Sequence, residues 1–224
     1  MINRILKRLS PYTKEKSFAL NQLDWKLKNY LNFRNGFFIE AGANDGISQS
    51  NTLYFEKYLN WTGILIEPLP ELAAKCQINR PNCITENCAL VSFEFEKDFV
   101  EMRYCNLMSL IKGSLGSKDA EQSHIQRGSE IQGLSTYDIS VPARTLTSIL
   151  DQYVINQIDL LSLDVEGYEL NVLKGLDFEK YRPTYMLIES LKKIFKNEID
   201  ILLQIYYEPI ENLSDLDVLY KCKK

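Results

Sequence analysis

The sequence predicts an α/β fold with a doubly wound, mostly parallel sheet flanked by helices, and three observations carry that prediction. Four short apolar runs (residues 37–39, 63–66, 160–163 and 185–188) each end in an acid, at Glu40, Glu67, Asp164 and Glu189. Runs apolar at nearly every position suit strands buried on both faces. Helical patterns follow them, the alternation that places helices on both sides of a parallel sheet. At 224 residues, with 45% apolar and 25% charged side chains, the chain has the size and balance of one globular domain with an appendage.

Taken in order, residues 1–9 space Ile2, Ile5, Leu6 and Leu9 at i, i+3, i+4 and i+7, a short basic amphipathic helix that Ser10-Pro11 stops. Docking on the domain is the expected use of this helix, with weak contact to an acidic membrane surface as the alternative. A second helix over 20–31 completes an N-terminal helical extension, residues 1–35, ahead of a domain over 36–224. Helices over 52–59 and 70–79 follow the first two strands, the latter with Pro70 in its first turn. A third strand precedes Asn87-Cys88-Ala89. Further on, a helix over 168–173 stops near Gly175, and another runs through Phe195, Ile199, Leu202 and Leu203. Residues 217–220 read as a closing strand. Between these blocks, residues 105–140 hold four glycines and seven serines with no persistent period. So long a connection is expected to be an irregular loop capping the ligand crevice.

Composition excludes several classes. No stretch approaches the roughly 18 consecutive apolar residues of a membrane span. Arg4, Lys7 and Arg8 interrupt the apolar core that a secretory signal needs. A net charge of −4 and a pI near 5.3 argue against nucleic acid as a partner. Residues 1–34 carry eight Lys/Arg against two acids, so the remainder nets −10. His124 is the one histidine, and Cys76, Cys83, Cys88, Cys105 and Cys222 form no C-x-x-C pair. The expectation is no metal site, and reduced thiols in a cytoplasmic protein.

Ligands of open α/β sheets bind beyond the carboxyl ends of the strands, here the four acids. Such a rim repels polyphosphates and attracts cations and hydroxyl donors. The turn Glu40-Ala41-Gly42-Ala43-Asn44-Asp45-Gly46 has Asn44 where a dinucleotide fingerprint needs glycine, and no Gly-Lys-Ser/Thr follows. Glu67, 25 residues after Gly42, stands where an acid accepts hydrogen bonds from a ribose diol. A ribose, an ammonium and a positive sulfur without phosphate describe S-adenosylmethionine. A nicotinamide-dependent oxidoreductase on a Rossmann-like fold and a non-catalytic binding module are the rival readings.

The segments 38–46, Ser50-Asn51-Thr52, 63–68, 158–169 and Leu187-Ile188-Glu189 together resemble the FkbM family of S-adenosylmethionine-dependent methyltransferases. The resemblance implies a class I methyltransferase fold with a seven-stranded sheet, and O-methylation, often of sugars or secondary metabolites. By motif it implies that Glu40, Gly42, Asn44 and Asn51 line the methionine end of the cofactor, that Gly46 holds the turn and that Glu67 binds the ribose. Asn87-Cys88-Ala89 falls near the adenine, and Asp164 and Glu166 border cofactor and acceptor. Methyl transfer to a hydroxyl also needs a base. His124, Glu189 and Asp164 are the catalytic candidates, and the acceptor is expected to be a small molecule or glycan. The sequence carries no signal of oligomeric state.

Overall fold

The computed structural model describes residues 15–133, 135–191 and 193–223; the basic helix expected over 1–9 lies outside them. In chain order the elements are α1 (Leu23–Leu27), β1 (Phe37–Ala41), α2 (Leu53–Leu59), β2 (Thr62–Ile66), α3 (Pro70–Asn79), β3 (Ile84–Glu86), β4 (Ala89–Leu90), β5 (Phe99–Tyr104), β6 (Leu110–Ile111) and α4 (Lys118–Gln132). Then follow β7 (Tyr137–Arg144), α5 (Leu146–Tyr153), β8 (Leu160–Leu163), α6 (Glu169–Leu173), β9 (Tyr185–Glu189), α7 (Lys193–Leu203), β10 (Tyr207–Asn212) and β11 (Asp217–Cys222).

Seven strands form the main sheet in the order β10-β11-β9-β8-β1-β2-β3. β11 runs antiparallel to both neighbours, β9 and β10, and the remaining pairings are parallel. The period of two decides the packing. Ile39, Ile64, Leu161 and Met186 point to one face, where Leu146, Ile149 and Leu150 of α5 and Ile199 and Leu203 of α7 cover them. Phe38, Leu65, Leu160 and Leu187 point to the other, against Leu23 and Leu27 of α1 and Tyr54 and Phe55 of α2. Both faces are buried, which is why the strands read as unbroken apolar runs.

Two expectations change. The helix expected over 20–31 is a 3-10 turn at Leu20–Gln22 followed by the five residues of α1. The buried Asp24 carboxylate takes the Ser17 hydroxyl (2.6 Å) and the Phe18 and Trp25 amides (2.7 and 2.8 Å), and these bonds favour a turn over a helix. The region 105–140 is not an irregular loop. It holds the 15-residue α4 and parts of a second sheet, ordered β4-β7-β5-β6, with its own small core of Val100, Met102, Ile111 and Val141. Helix α4 is polar nearly all round, so no hydrophobic period announces it. Its ends are nonetheless marked: the Ser117 hydroxyl accepts from the Ala120 amide, and Gly133 closes it in the left-handed region.

Candidate functional site

A cavity of about 340 Å³ opens at the carboxyl ends of β1, β2, β8 and β9. Its floor carries Glu40, Glu67, Asp164, Glu166 and Glu189, and among the described residues no lysine, arginine or histidine lines it. The segment between β5 and β7 supplies the roof through Asn106, Leu107, Met108 and Ile131. Gly42, Asn44 and Asn51 also line the cavity, as do Cys88 and Ala89, whereas Gly46 and His124 do not.

The turn after β1 is held from two sides. The Gly42 and Ala43 amides donate to the Ile66 carbonyl (3.0 and 3.2 Å), fastening the turn to the end of β2. Gly42 has φ of +84°, and a Cβ built there would lie 1.8 Å from the Asp164 carbonyl oxygen, so only glycine lets β1 and β8 approach at this point. The Glu40 carboxylate is spent inside the protein. It accepts from the Ser50 hydroxyl (2.9 Å), the Asn51 amide (2.7 Å) and the Thr52 hydroxyl (2.6 Å), and pairs with Arg80 at 3.5 Å. Arg80, fully buried, also donates to the Gly46 carbonyl (3.1 Å) and the Thr52 hydroxyl (3.1 Å) and pairs with Glu56. These bonds fix Asn51 with its amide nitrogen on the Ser162 hydroxyl (3.1 Å). The other end of that amide, Oδ1, is buried with no partner among the described residues.

Glu67 follows β2 and accepts from the Asn44 amide (2.8 Å) and the Leu69 amide (2.9 Å), one on each oxygen. Burial, only partly offset by those bonds, pushes its carboxyl up to about 7. Asn87 donates to the Glu67 and Pro68 carbonyls (2.9 and 2.8 Å) and thereby seats Cys88 and Ala89 on the cavity wall.

The opposite end of the floor is an acid cluster set by strand register. Leu163 pairs with Ile188 across β8 and β9, which brings Asp164 alongside Glu189, and Asp217 of β11 pairs with Glu189 from the other side. Asp164 is open to the cavity yet deep within the protein, and that depth pushes its carboxyl up to about 6. Glu189 is pushed far up by burial and by Asp164 and Glu166, and its Oε2 has no partner among the described residues. Two carboxylates this close do not both ionise at neutral pH. Glu166 sits in the left-handed region (φ 55°), and its Oε2 lies 3.3 Å from His124 Nε2, which also contacts the Met108 carbonyl at 3.2 Å. Burial, with Asp164 and Glu169, pushes Glu166 well up, and burial pushes His124 down. Both shifts run in the direction of a carboxylic acid beside a neutral imidazole. Behind the loop, Glu169 accepts from the Val165 and Gly167 amides (3.1 and 3.0 Å) and fixes its shape.

A family model for the methyltransferase FkbM domain matches residues 40–209, most of the chain. The chain belongs to the FkbM methyltransferase family. No curated protein matches it significantly. Among solved structures, it is similar to a TehB-like S-adenosylmethionine-dependent methyltransferase from Corynebacterium glutamicum, at 10% identity and TM-score 0.48 over 90% of this chain and 88% of that one. It is also similar to Aeropyrum pernix fibrillarin with natively bound S-adenosyl-L-methionine, at 12% identity and TM-score 0.47 over 94% and 83%. A precorrin-6y C5,15-methyltransferase from Geobacter metallireducens matches at 8% identity and TM-score 0.46 over 89% and 87%.

This FkbM methyltransferase uses S-adenosylmethionine, and the cavity fits that cofactor. Among the described residues, a positive sulfur and an ammonium meet a floor of carboxyls without a competing cation, Asn51 Oδ1 has no donor, and Glu67 retains lone pairs for hydroxyls. The nicotinamide alternative fails on the family. Sequence reasoning missed Arg80, which no motif marks, and the role of Glu169, which stands inside the motif Asp164-Val165-Glu166-Gly167-Tyr168-Glu169.

Proposed function

We propose that this FkbM methyltransferase transfers the methyl group to a hydroxyl of a carbohydrate, free or within a glycan or glycolipid. The observation that carries the reading is the cavity lining, five carboxyls and no cationic side chain among the described residues. An anionic acceptor such as RNA or DNA meets repulsion there, whereas a neutral polyol donates hydrogen bonds to the same carboxyls. The net charge of −4 points the same way.

In this reading Glu67 holds the ribose diol, Asn51 Oδ1 accepts from the methionine ammonium, and Gly42 and Asn44 form the wall beside it. Glu40 acts one step back, through Ser50, Asn51 and Thr52, and Gly46 and Arg80 hold the turn. When bound, the cofactor supplies an electrophilic methyl carbon. The protein aligns the acceptor oxygen, excludes water under the roof and provides a carboxyl for the proton. Asp164 and Glu189 are within the cavity and take that role. His124 stands outside the lining and acts on Glu166. Five free cysteines suit a reducing, cytoplasmic location.

The test is incubation of the protein and radiolabelled cofactor with fractionated cell extract. Label that resists nuclease and protease and is released with monosaccharides supports the reading. Label that follows RNA or polypeptide refutes it.

A further inference from the structure

We propose that Asp164 and Glu189 form a proton-sharing pair that releases its proton when the cofactor's cation binds and recovers one from the acceptor hydroxyl as the methyl group is transferred. The pair is built by register. Leu163 and Ile188 are partners in adjacent parallel strands, so the next residue of β8 stands beside the last residue of β9, at the cavity floor. Glu189 Oε2 is buried without a donor from any described residue, so a proton shared with Asp164 is what satisfies it. Further acids surround the pair, Glu40 among them already matched by Arg80. Glu40 of β1 and Asp217 of β11 face Asp164, while Glu166 and Asp217 face Glu189. Glu169 of α6 and His124 of α4 stand behind Glu166, and Lys26 lies near Asp217, outside the cavity lining. With no cation inside among the described residues, the cluster lowers its own repulsion by keeping protons, and burial drives Glu189 in the same direction.

A sulfonium reverses that balance. At pH 7.5 the free pair carries one proton and one negative charge, and a positive sulfur nearby favours loss of the remaining proton. The doubly ionised pair then takes the hydroxyl's proton as the acceptor oxygen bonds the methyl carbon and the carbon–sulfur bond breaks, its electron pair staying on sulfur. Sulfonium plus a pair at −2 becomes a neutral thioether plus a pair at −1, so the net charge inside the cavity is unchanged. Departure of the products leaves the pair with the one proton it began with.

The inference rests on the cofactor and on a hydroxyl acceptor, but its test uses no acceptor, so an error about the acceptor class does not change the result. Calorimetric titration of the full chain at pH 7.5, in two buffers of different ionisation enthalpy, counts protons released on binding. S-adenosylmethionine is compared with its neutral demethylated product. Both ligands carry the same ribose, so any contribution of Glu67 cancels in the difference. The cofactor is expected to release more protons than the product, by a measurable fraction of a proton per site. Glu189→Gln, whose amide still donates to Asp164, is expected to abolish the difference, and so is Asp164→Asn. Equal release by the two ligands in the wild-type protein overturns the proposal, and that comparison stands even if a variant fails to fold. A difference that persists in Glu189→Gln assigns the proton to another acid and equally overturns it. Failure of both ligands to bind overturns the pair together with the cofactor assignment.

Discussion

Replacing Arg80 with methionine tests whether the cofactor turn is held by one buried cation. The guanidinium is fully buried and serves five partners: Glu40, Glu56, the Gly46 carbonyl and the Ser50 and Thr52 hydroxyls. Methionine fills a similar volume over the Phe38 ring, on which the guanidinium now rests at 5.2 Å. The loss is therefore electrostatic rather than a cavity. Glu40, 4% exposed, and the partly buried Glu56 are left without their counter-charge, a change that costs about 3–5 kcal/mol. In a domain of this size each kcal/mol moves Tm by about 2–4 °C, so Arg80→Met lowers it by roughly 6–20 °C. Urea and thermal denaturation followed by circular dichroism measure this. Adding Glu56→Gln removes one of the stranded charges and is expected to recover part of the loss, a coupling that a double-mutant cycle isolates. A loss below about 1 kcal/mol, or strictly additive behaviour of the two substitutions, refutes the idea that Arg80 neutralises these carboxylates.

Three further outcomes follow from the same geometry. Glu67→Gln weakens cofactor binding by about ten- to hundred-fold in calorimetry. With the wild-type carboxyl near 7, affinity for the neutral demethylated product rises as pH climbs from 6 to 8, because ribose hydroxyls donate best to the ionised form; a flat profile contradicts the ribose role. Gly42→Ala drives a methyl into the Asp164 carbonyl, 1.8 Å from the built Cβ, and is expected to cost at least about 2 kcal/mol and most cofactor affinity; an unperturbed Tm argues against close approach of β1 and β8. Glu67 and Glu169 are both raised to about 7 from 4.5. Their stabilisation is complete below the unfolded value and is lost as pH rises through 7, by up to about 3 kcal/mol each. Tm is thus expected to be higher at pH 5.5 than at pH 8, and the reverse order counts against the buried, protonated state.

The central sheet was legible because burial on both faces leaves a plain mark, an apolar run that stops where the chain leaves the core. The four acids that end those runs were legible for the same reason, and Glu40, Glu67, Asp164 and Glu189 do gather around one cavity. The roof was not. Helix α4 touches the rest of the protein through Gly128, packed on Cys105 and Met108, and through polar contacts such as His124 to Glu166. A helix held by a glycine and a histidine shows no apolar stripe. Arg80 was invisible for a different reason: its meaning lies in partners 24 to 40 residues away, which only the turn brings together.

The structure buries carboxyls in two ways, and the difference divides the site by role. Glu40 is saturated, with three donors and a guanidinium around it, so no valence is left for a ligand. Its effect reaches the cavity only through the position of Asn51. Glu189 and Glu166 have no buried cation among the described residues, and burial among other acids raises both. Neutralising the second group with an arginine, as Arg80 does for Glu40, would stabilise the fold and would also repel a sulfonium from the same floor. Leaving those acids to hold protons costs stability as pH rises, yet keeps their charge available to an incoming cation. A floor tuned for stability alone would resemble the Glu40–Arg80 arrangement throughout; the acid end of this cavity departs from it at the point where a positive sulfur has to sit.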